Sequence, residues 1–351
     1  MTLLATLLLA ALHAQTPTRP AVGAIRWDAW HGQQSVPGQS VEKALGPAEW
    51  HYRLPFFANV ISENQVSIDG TSQQVLDQEI EYASRAGLDY WAFLAYSESD
   101  AMSLPLKRYL ASAQRDKIQF SLITELSRWG TRASHPEVAR YAALTKEPGY
   151  LKTPGGRPIF YLGFLSEAQI KQNWGSIEEL RNAVDAFRAL SANPYIVIMD
   201  FNPVNANKWR DQLGADAISA YAASGGGVKA LYADLTKYAE EFWNRSKATG
   251  SEVVPIVMSG WDRRPRVINP MPWEKYQKPG EGMEKYYETA TPAEIAEHLR
   301  HALDWIRGNK SAAPANAVII YAWNENDEGG WLTPTLKEGA ARLNAIRDIL
   351  K

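Results

Sequence analysis

The chain has 351 residues, 45% of them hydrophobic, and a formal net charge of −2. That length suits one large domain with a sizeable core, and the balanced charge, without a basic stripe or a charge run, excludes nucleic acid as a partner. Cysteine is absent, which removes a disulfide framework, a thiolate nucleophile and a cysteine metal site.

Leu3 to Leu12 is an apolar run of signal-peptide length, too short to span a bilayer, and the small residue Ala14 follows it. Residues 1–14 are therefore expected to be a leader, 21–351 a single domain, and the mature protein periplasmic or secreted. No other stretch is apolar enough for an integral membrane segment. From Val22 onward, short apolar, β-branched or aromatic runs alternate with amphipathic helical stretches, the pattern of βα units on a parallel sheet. Strands are predicted over Val22–Trp30, Leu88–Tyr96, Ile118–Glu125, Pro158–Phe164, Tyr195–Asp200, Ala217–Ala222, Val253–Trp261 and Ala317–Glu325. Helices are predicted over Gln73–Ala86, Leu104–Arg115, His135–Leu144, Ser176–Leu190, Lys229–Lys247, Pro292–Gly308 and Pro334–Leu350. Only Asn205–Leu213 is available as a helix between strands five and six. Eight strands with intervening helices, and no glycine-rich turn after the first, predict an α/β fold of the (β/α)8 barrel type rather than an open nucleotide-binding sheet. The polar, aromatic stretches Trp30–Gln73 and Arg263–Thr291 are read as long loops on the C-terminal face, where the active sites of such barrels lie.

Candidate site residues are the polar and aromatic ones at the C-terminal ends of these strands: Asp28, Trp30, Tyr96, Glu98, Glu125, Asp200, Tyr221, Trp261, Asp262, Trp323, Glu325, Glu328 and Trp331. Thirteen Trp and sixteen Tyr supply flat apolar faces that suit either sugar rings or a large core. Strand alternation puts Glu325 on one face with Trp323, Tyr321 and Ile319, and Glu125 with Ile123, Ser121 and Gln119, so both glutamates are expected to point inward at the barrel top. Glu325 and Glu328 stand three apart, with Gly329-Gly330 giving backbone freedom for a turn that brings both into one cleft. Two such carboxyls, one a proton donor and one a nucleophile or base, are what glycoside hydrolysis requires. On residues alone, a solvated acidic loop is the competing reading.

The segment Tyr321-Ala-Trp-Asn-Glu-Asn-Asp-Glu-Gly329 resembles the Trp-Asn-Glu-x-x-Glu-Gly signature of glycoside hydrolase family 99-like proteins, which include endo-α-mannosidases and a WbsX-like branch. Three further segments agree in order: Ala86-Gly-Leu-Asp-Tyr-Trp-Ala-Phe-Leu-Ala-Tyr96, Gly156-Arg-Pro-Ile-Phe-Tyr161 and Ser259-Gly-Trp-Asp-Arg-Arg-Pro-Arg266. With no metal spacing among the six His, the residues lead to no expected metal or cofactor, and the resemblance implies a retaining glycosidase acting on an oligo- or polysaccharide. It also implies an epoxide formed by the sugar's own 2-hydroxyl, with Glu325 assisting that hydroxyl, Glu328 as general acid then base, and Glu125 binding the sugar. One departure stands out. The endo-mannosidases carry Trp and His between the two glutamates, where this chain has Asn326 and Asp327. Two alternatives follow: a carbohydrate-binding barrel without catalysis, and a glycosyltransferase-like role in polysaccharide synthesis.

Other residues keep two readings. Asp262 either binds a sugar hydroxyl or pairs with Arg263, Arg264 or Arg266, and those arginines are also candidates for an acidic sugar. Asp28 is a candidate binding-site acid. Asp200 is expected to cap the turn that follows it. Ser224-Gly-Gly-Gly227 is read as a flexible loop rather than a phosphate cradle. His298 and His301 show no metal spacing and are expected on the exposed side of an outer helix.

Overall fold

In the computed structural model, residues 19–31 and 35–351 are described. The apolar run at Leu3–Leu12 lies outside them. The β-branched and aromatic runs form eight barrel strands: β1 Ala21–Arg26, β2 Tyr90–Leu94, β3 Gln119–Glu125, β4 Ile159–Gly163, β5 Tyr195–Met199, β6 Ala217–Ser219, β7 in two pieces (Glu252–Val253 and Ile256–Met258) and β8 Ala317–Tyr321. Every neighbouring pair is parallel, in sequence order from β1 to β7, and β8 lies between β7 and β1. The fold is thus the α/β barrel expected.

The break in β7 closes the ring. Pro255 has no N–H to give to a ladder. On one side of it Val254 N bonds Ile218 O of β6 at 3.1 Å, and the Pro255 carbonyl accepts from Ile319 N of β8 at 3.1 Å. The chain changes partners at the residue that cannot serve both. Inside the barrel, Tyr90 fills space that Gly23 leaves open, since a side chain at Gly23 would run into the Tyr90 ring. The Tyr90 hydroxyl donates to Val318 O at 2.8 Å and lies 3.1 Å from the Tyr161 hydroxyl, so three strands are tied across the interior.

Helices form where the periodicity predicts them, with ends set by caps. Ser72 accepts from Val75 N at the start of Gln73–Arg85, and Ser176 from Glu179 N at Ile177–Leu190. Thr291 and Glu294 form a reciprocal capping box at Pro292–Gly308. The short stretch between β5 and β6 is a full helix, Pro203–Leu213, capped by Asn202 with proline in its first turn. Asp200 holds the turn before it, accepting from Asn202 N at 2.8 Å.

Three expectations change. The stretch after β1 is not one open loop: among its described residues are the helix Val36–Leu45, the 3₁₀ segment Ala48–Arg53 and a hairpin of Ala58–Ser62 with Gln65–Ile68. An additional helix, Glu167–Trp174, precedes Ile177–Leu190. His298 is buried against Trp243, with ring centroids 5.5 Å apart and nearly parallel planes, and burial pushes it down to about 3. Its helix presents that position to the barrel because Ile295, Leu299 and Ala302 share the face.

Candidate active site

The regular ladder of β8 ends at Tyr321. Beyond it, Asn324–Glu325 pairs antiparallel with Gly330–Trp331 around the 3₁₀ turn Asn326–Glu328. Side chains three apart in a 3₁₀ turn lie one above the other, which brings Glu325 and Glu328 to one side. Gly329 is left-handed at φ +85, and a Cβ there would come within 2.5 Å of Asp262 N. Asp262 N instead donates to Glu328 O at 2.6 Å, so the segment after β7 lies directly across the turn.

Both glutamates are buried, and both line a cavity of about 420 Å³ at the C-terminal end of the barrel. Its other walls include Trp27, Glu125, Tyr221, Trp261, Arg263, Arg266, Trp273 and Glu274. The Tyr221 hydroxyl donates to Glu325 Oε1 at 2.5 Å, and the Tyr321 hydroxyl donates to Glu328 Oε2.

Arg266 organises the group. Its Nε donates to Asp327 Oδ2 at 2.6 Å, one terminal nitrogen binds Glu328 Oε1, and the other lies 3.3 Å from Glu325 Oε2. The guanidinium also lies 4.9 Å from the centre of the Trp27 ring. Arg263 Nε adds a second contact to Glu328 Oε1 at 2.9 Å. This explains how Asn326 and Asp327 are accommodated between the glutamates. Asp327 neutralises Arg266 from behind, and Asn326 donates to Arg53 O at 2.5 Å, facing away from the cavity wall.

The two carboxyls are driven apart in acidity. Burial pushes Glu325 well above the ordinary carboxylate range, and the charge of Glu328 adds to the shift, outweighing Arg266. Burial also pushes Glu328 up, but Arg266, Arg263 and the Tyr321 hydroxyl together hold it below its ordinary value. These surroundings favour a shared proton on Glu325 over Glu328.

Of the sequence candidates, Glu125, Tyr221, Trp261, Glu325 and Glu328 line the cavity. The other eight, Glu98 and Asp200 among them, do not. Asp28 accepts from Arg26 Nε at 2.7 Å and Asn324 Nδ2 at 3.0 Å in a buried cluster with Glu79 and His31 behind the motif. Burial pushes it up to about 7 against the pull of Arg26, with Glu79 adding to the rise. Trp30 is buried edge-on to Phe57. The Tyr96 hydroxyl accepts from Trp27 Nε1 at 2.8 Å, which places it under the wall rather than in it. Asp262 is taken up by Arg53 and Arg264, of which only Arg264 was among its expected partners. Trp323 turns outward because alternation stops with the ladder at Tyr321; its Nε1 donates to Glu79 Oε1 at 2.8 Å and its ring meets Trp91. Trp331 is buried with the Arg342 guanidinium over it at 3.6 Å.

Sequence reasoning missed Trp27, Phe164 and Phe201 as lining residues. Each lies one or two positions past the end of β1, β4 or β5, and that placement was the available signal. It also missed Glu274, whose loop shows no periodicity.

The protein is a (β/α)8 barrel with a buried carboxyl pair in an aromatic cavity at the C-terminal ends of its strands. The model of the family described as Glycosyltransferase WbsX matches residues 165–346, more than half of the chain, and the chain belongs to that family. No curated protein matches it in sequence. Among solved structures, it is similar to the glycoside hydrolase family 99 endo-alpha-mannosidase from Bacteroides thetaiotaomicron in complex with BIS-TRIS-propane, at 14% identity and TM-score 0.57 over 93% of this chain and 94% of that one. A second structure of the endo-alpha-mannosidase from that organism gives TM-score 0.56 at 14% identity over 93% and 95%. Likeness at this identity establishes a shared barrel.

Proposed function

We infer that the chain is a retaining glycoside hydrolase whose catalytic residues are Glu325 and Glu328, acting on an extracytoplasmic glycan. The observation that carries this reading is one guanidinium, Arg266, contacting both carboxyls with its two terminal nitrogens. Carboxyls bridged in this way stand close together, whereas inverting enzymes hold theirs about 6.5–9.5 Å apart to admit a water. The named activity of the barrel's structural neighbours supports a glycan substrate. Export rests on the Leu3–Leu12 run; a secreted product whose N-terminus begins after Ala14 tests it.

Glu325, protonated at rest, gives its proton to the leaving oxygen as the C1–O bond breaks. Glu328, ionised, drives the displacement by drawing the proton of the sugar's 2-hydroxyl, whose oxygen attacks C1, as the resemblance implies. Water, giving its proton to the now ionised Glu325, then attacks C1 as the C1–O2 bond breaks and Glu328 returns its proton to the 2-oxygen, and retention results. This exchanges the two roles that the resemblance assigns by position. Hydrolysis of a glycan panel by the wild type, with a loss of about 10²–10⁴-fold in Glu325→Gln and Glu328→Gln, tests the pair. Aryl glycosides with good leaving groups separate the roles, because they rescue only the variant that lacks the general acid. Binding that persists without hydrolysis in the wild type favours the lectin-like reading. The family description names a transferase, and the same carboxyls serve transfer whenever a sugar hydroxyl replaces water; product analysis distinguishes the two.

A further inference from the structure

Glu274 belongs to the long segment after β7, lines the cavity and is only 8% exposed. Its Oε1 receives the Arg263 guanidinium and lies 3.5 Å from an Arg266 terminal nitrogen. Its Oε2 is buried and has no hydrogen-bond partner among the described residues. A carboxylate oxygen can only accept, and a buried acceptor without a donor is costly. Anchored through its other oxygen, this one is fixed in direction. Beside it, Trp273 is 44% exposed and stands edge-on to Trp27 at 6.1 Å. Flat indole surface next to an oriented acceptor is the arrangement that a sugar ring with its hydroxyls fits.

The charge of the walls narrows the ligand. The lining residues include four carboxyl groups (Glu125, Glu274, Glu325 and Glu328) against two guanidiniums. Both guanidiniums are already engaged: Arg263 by Glu274 and Glu328, and Arg266 by Asp327, Glu328 and Glu325. No free cation is offered to a uronate or a sulfate by these two residues.

We propose that Glu274, with Trp273 and Trp27, forms a sugar-binding subsite in which Oε2 accepts from a hydroxyl or ammonium group of the ligand, and that the site takes neutral or amino sugars and rejects anionic ones. The proposal rests on reading the cavity as a glycan site. Each partner the ligand supplies satisfies an acceptor that the folded chain leaves open.

The test measures binding, not turnover. Tryptophan fluorescence and ligand-observed magnetic resonance follow titration of the full protein with glucosamine and mannosamine, the parent hexoses, and the matching hexuronates at constant ionic strength. Saturable binding is expected for an amino sugar or hexose of one series, and none for its hexuronate. Glu274→Gln weakens that binding about tenfold, the loss expected when a charged acceptor is removed. Trp273→Ala, at an exposed position that the fold tolerates, weakens it about fivefold and guards against misfolding in the first variant. No saturable binding by any amino sugar or hexose, equal binding of hexuronate, or unchanged affinity in both variants overturns the proposal. A protein that binds through Glu274 yet hydrolyses no glycan defeats only the hydrolase reading.

Discussion

Replacing Arg266 by methionine removes the one group that touches all three acids of the motif. The guanidinium is buried, with Asp327 at 2.6 Å, Glu325 at 3.3 Å and Glu328 also in contact. Removing one partner of a buried ion pair costs about 3–5 kcal/mol, because the other is left charged in a poor solvent. For 351 residues, an unfolding entropy of about 2.1 cal/mol/K per residue gives roughly 0.7 kcal/mol/K, so the melting temperature falls by about 4–7 °C. Scanning calorimetry at pH 7.5 and 5.5 measures this. In the variant, the orphaned carboxyls have folded-state pKa values above their unfolded ones. Their penalty is then full at high pH and shrinks as pH falls and they protonate. The deficit is therefore smaller at pH 5.5, and Arg266→Met with Asp327→Asn recovers part of it. A single variant that melts within about a degree of wild type at pH 7.5 refutes the idea that Arg266 neutralises this cluster.

On the proposed mechanism, which needs Glu325 protonated and Glu328 ionised, the kcat/KM profile is bell-shaped, with Glu328 on the acid limb and Glu325 on the alkaline limb. The Tyr221 hydroxyl favours ionised Glu325, and Tyr221→Phe moves the alkaline limb upward by about half a unit to one unit; a downward shift contradicts the assignment. Asp28, raised to about 7 when folded, binds its proton more tightly there than in the unfolded chain, whose value is 3.8. Its contribution to stability thus falls as pH rises from about 4 to 7, and Asp28→Asn flattens the melting temperature over that window. Gly329→Ala forces a side chain into a left-handed backbone and against Asp262 N, costing more than about 1 kcal/mol and displacing Glu328; denaturant midpoints and turnover report the two effects.

The barrel itself is legible because period-two and period-3.6 patterns alternate along the chain. Glu125 is legible because it ends β3, where alternation fixes direction, whereas Glu325 lies past the end of β8 and is legible through its motif with Glu328. Trp323 is misdirected by that rule, because the regular β8 ladder ends two residues before it at Tyr321. For Asp262 the local pairing with Arg264 is legible two residues away, but its second partner, Arg53, is 209 residues away in sequence and nothing local announces it. Glu274 is invisible because its value lies in a bond it does not make. Such properties arise from packing at a distance, and sequence periodicity carries no information about them.

The crossing of Gly260 and Gly329 has a mechanical consequence. A side chain at Gly260 would collide with Gly329 O, and Asp262 N is bonded to Glu328 O, so the strand-seven exit and the motif turn are stitched backbone to backbone. The wall that carries Glu325 and Glu328 cannot swing as a lid without tearing that seam. It is preformed, and the exposed part of the cavity lining is the aromatic rim of Phe201, Trp273 and Tyr276.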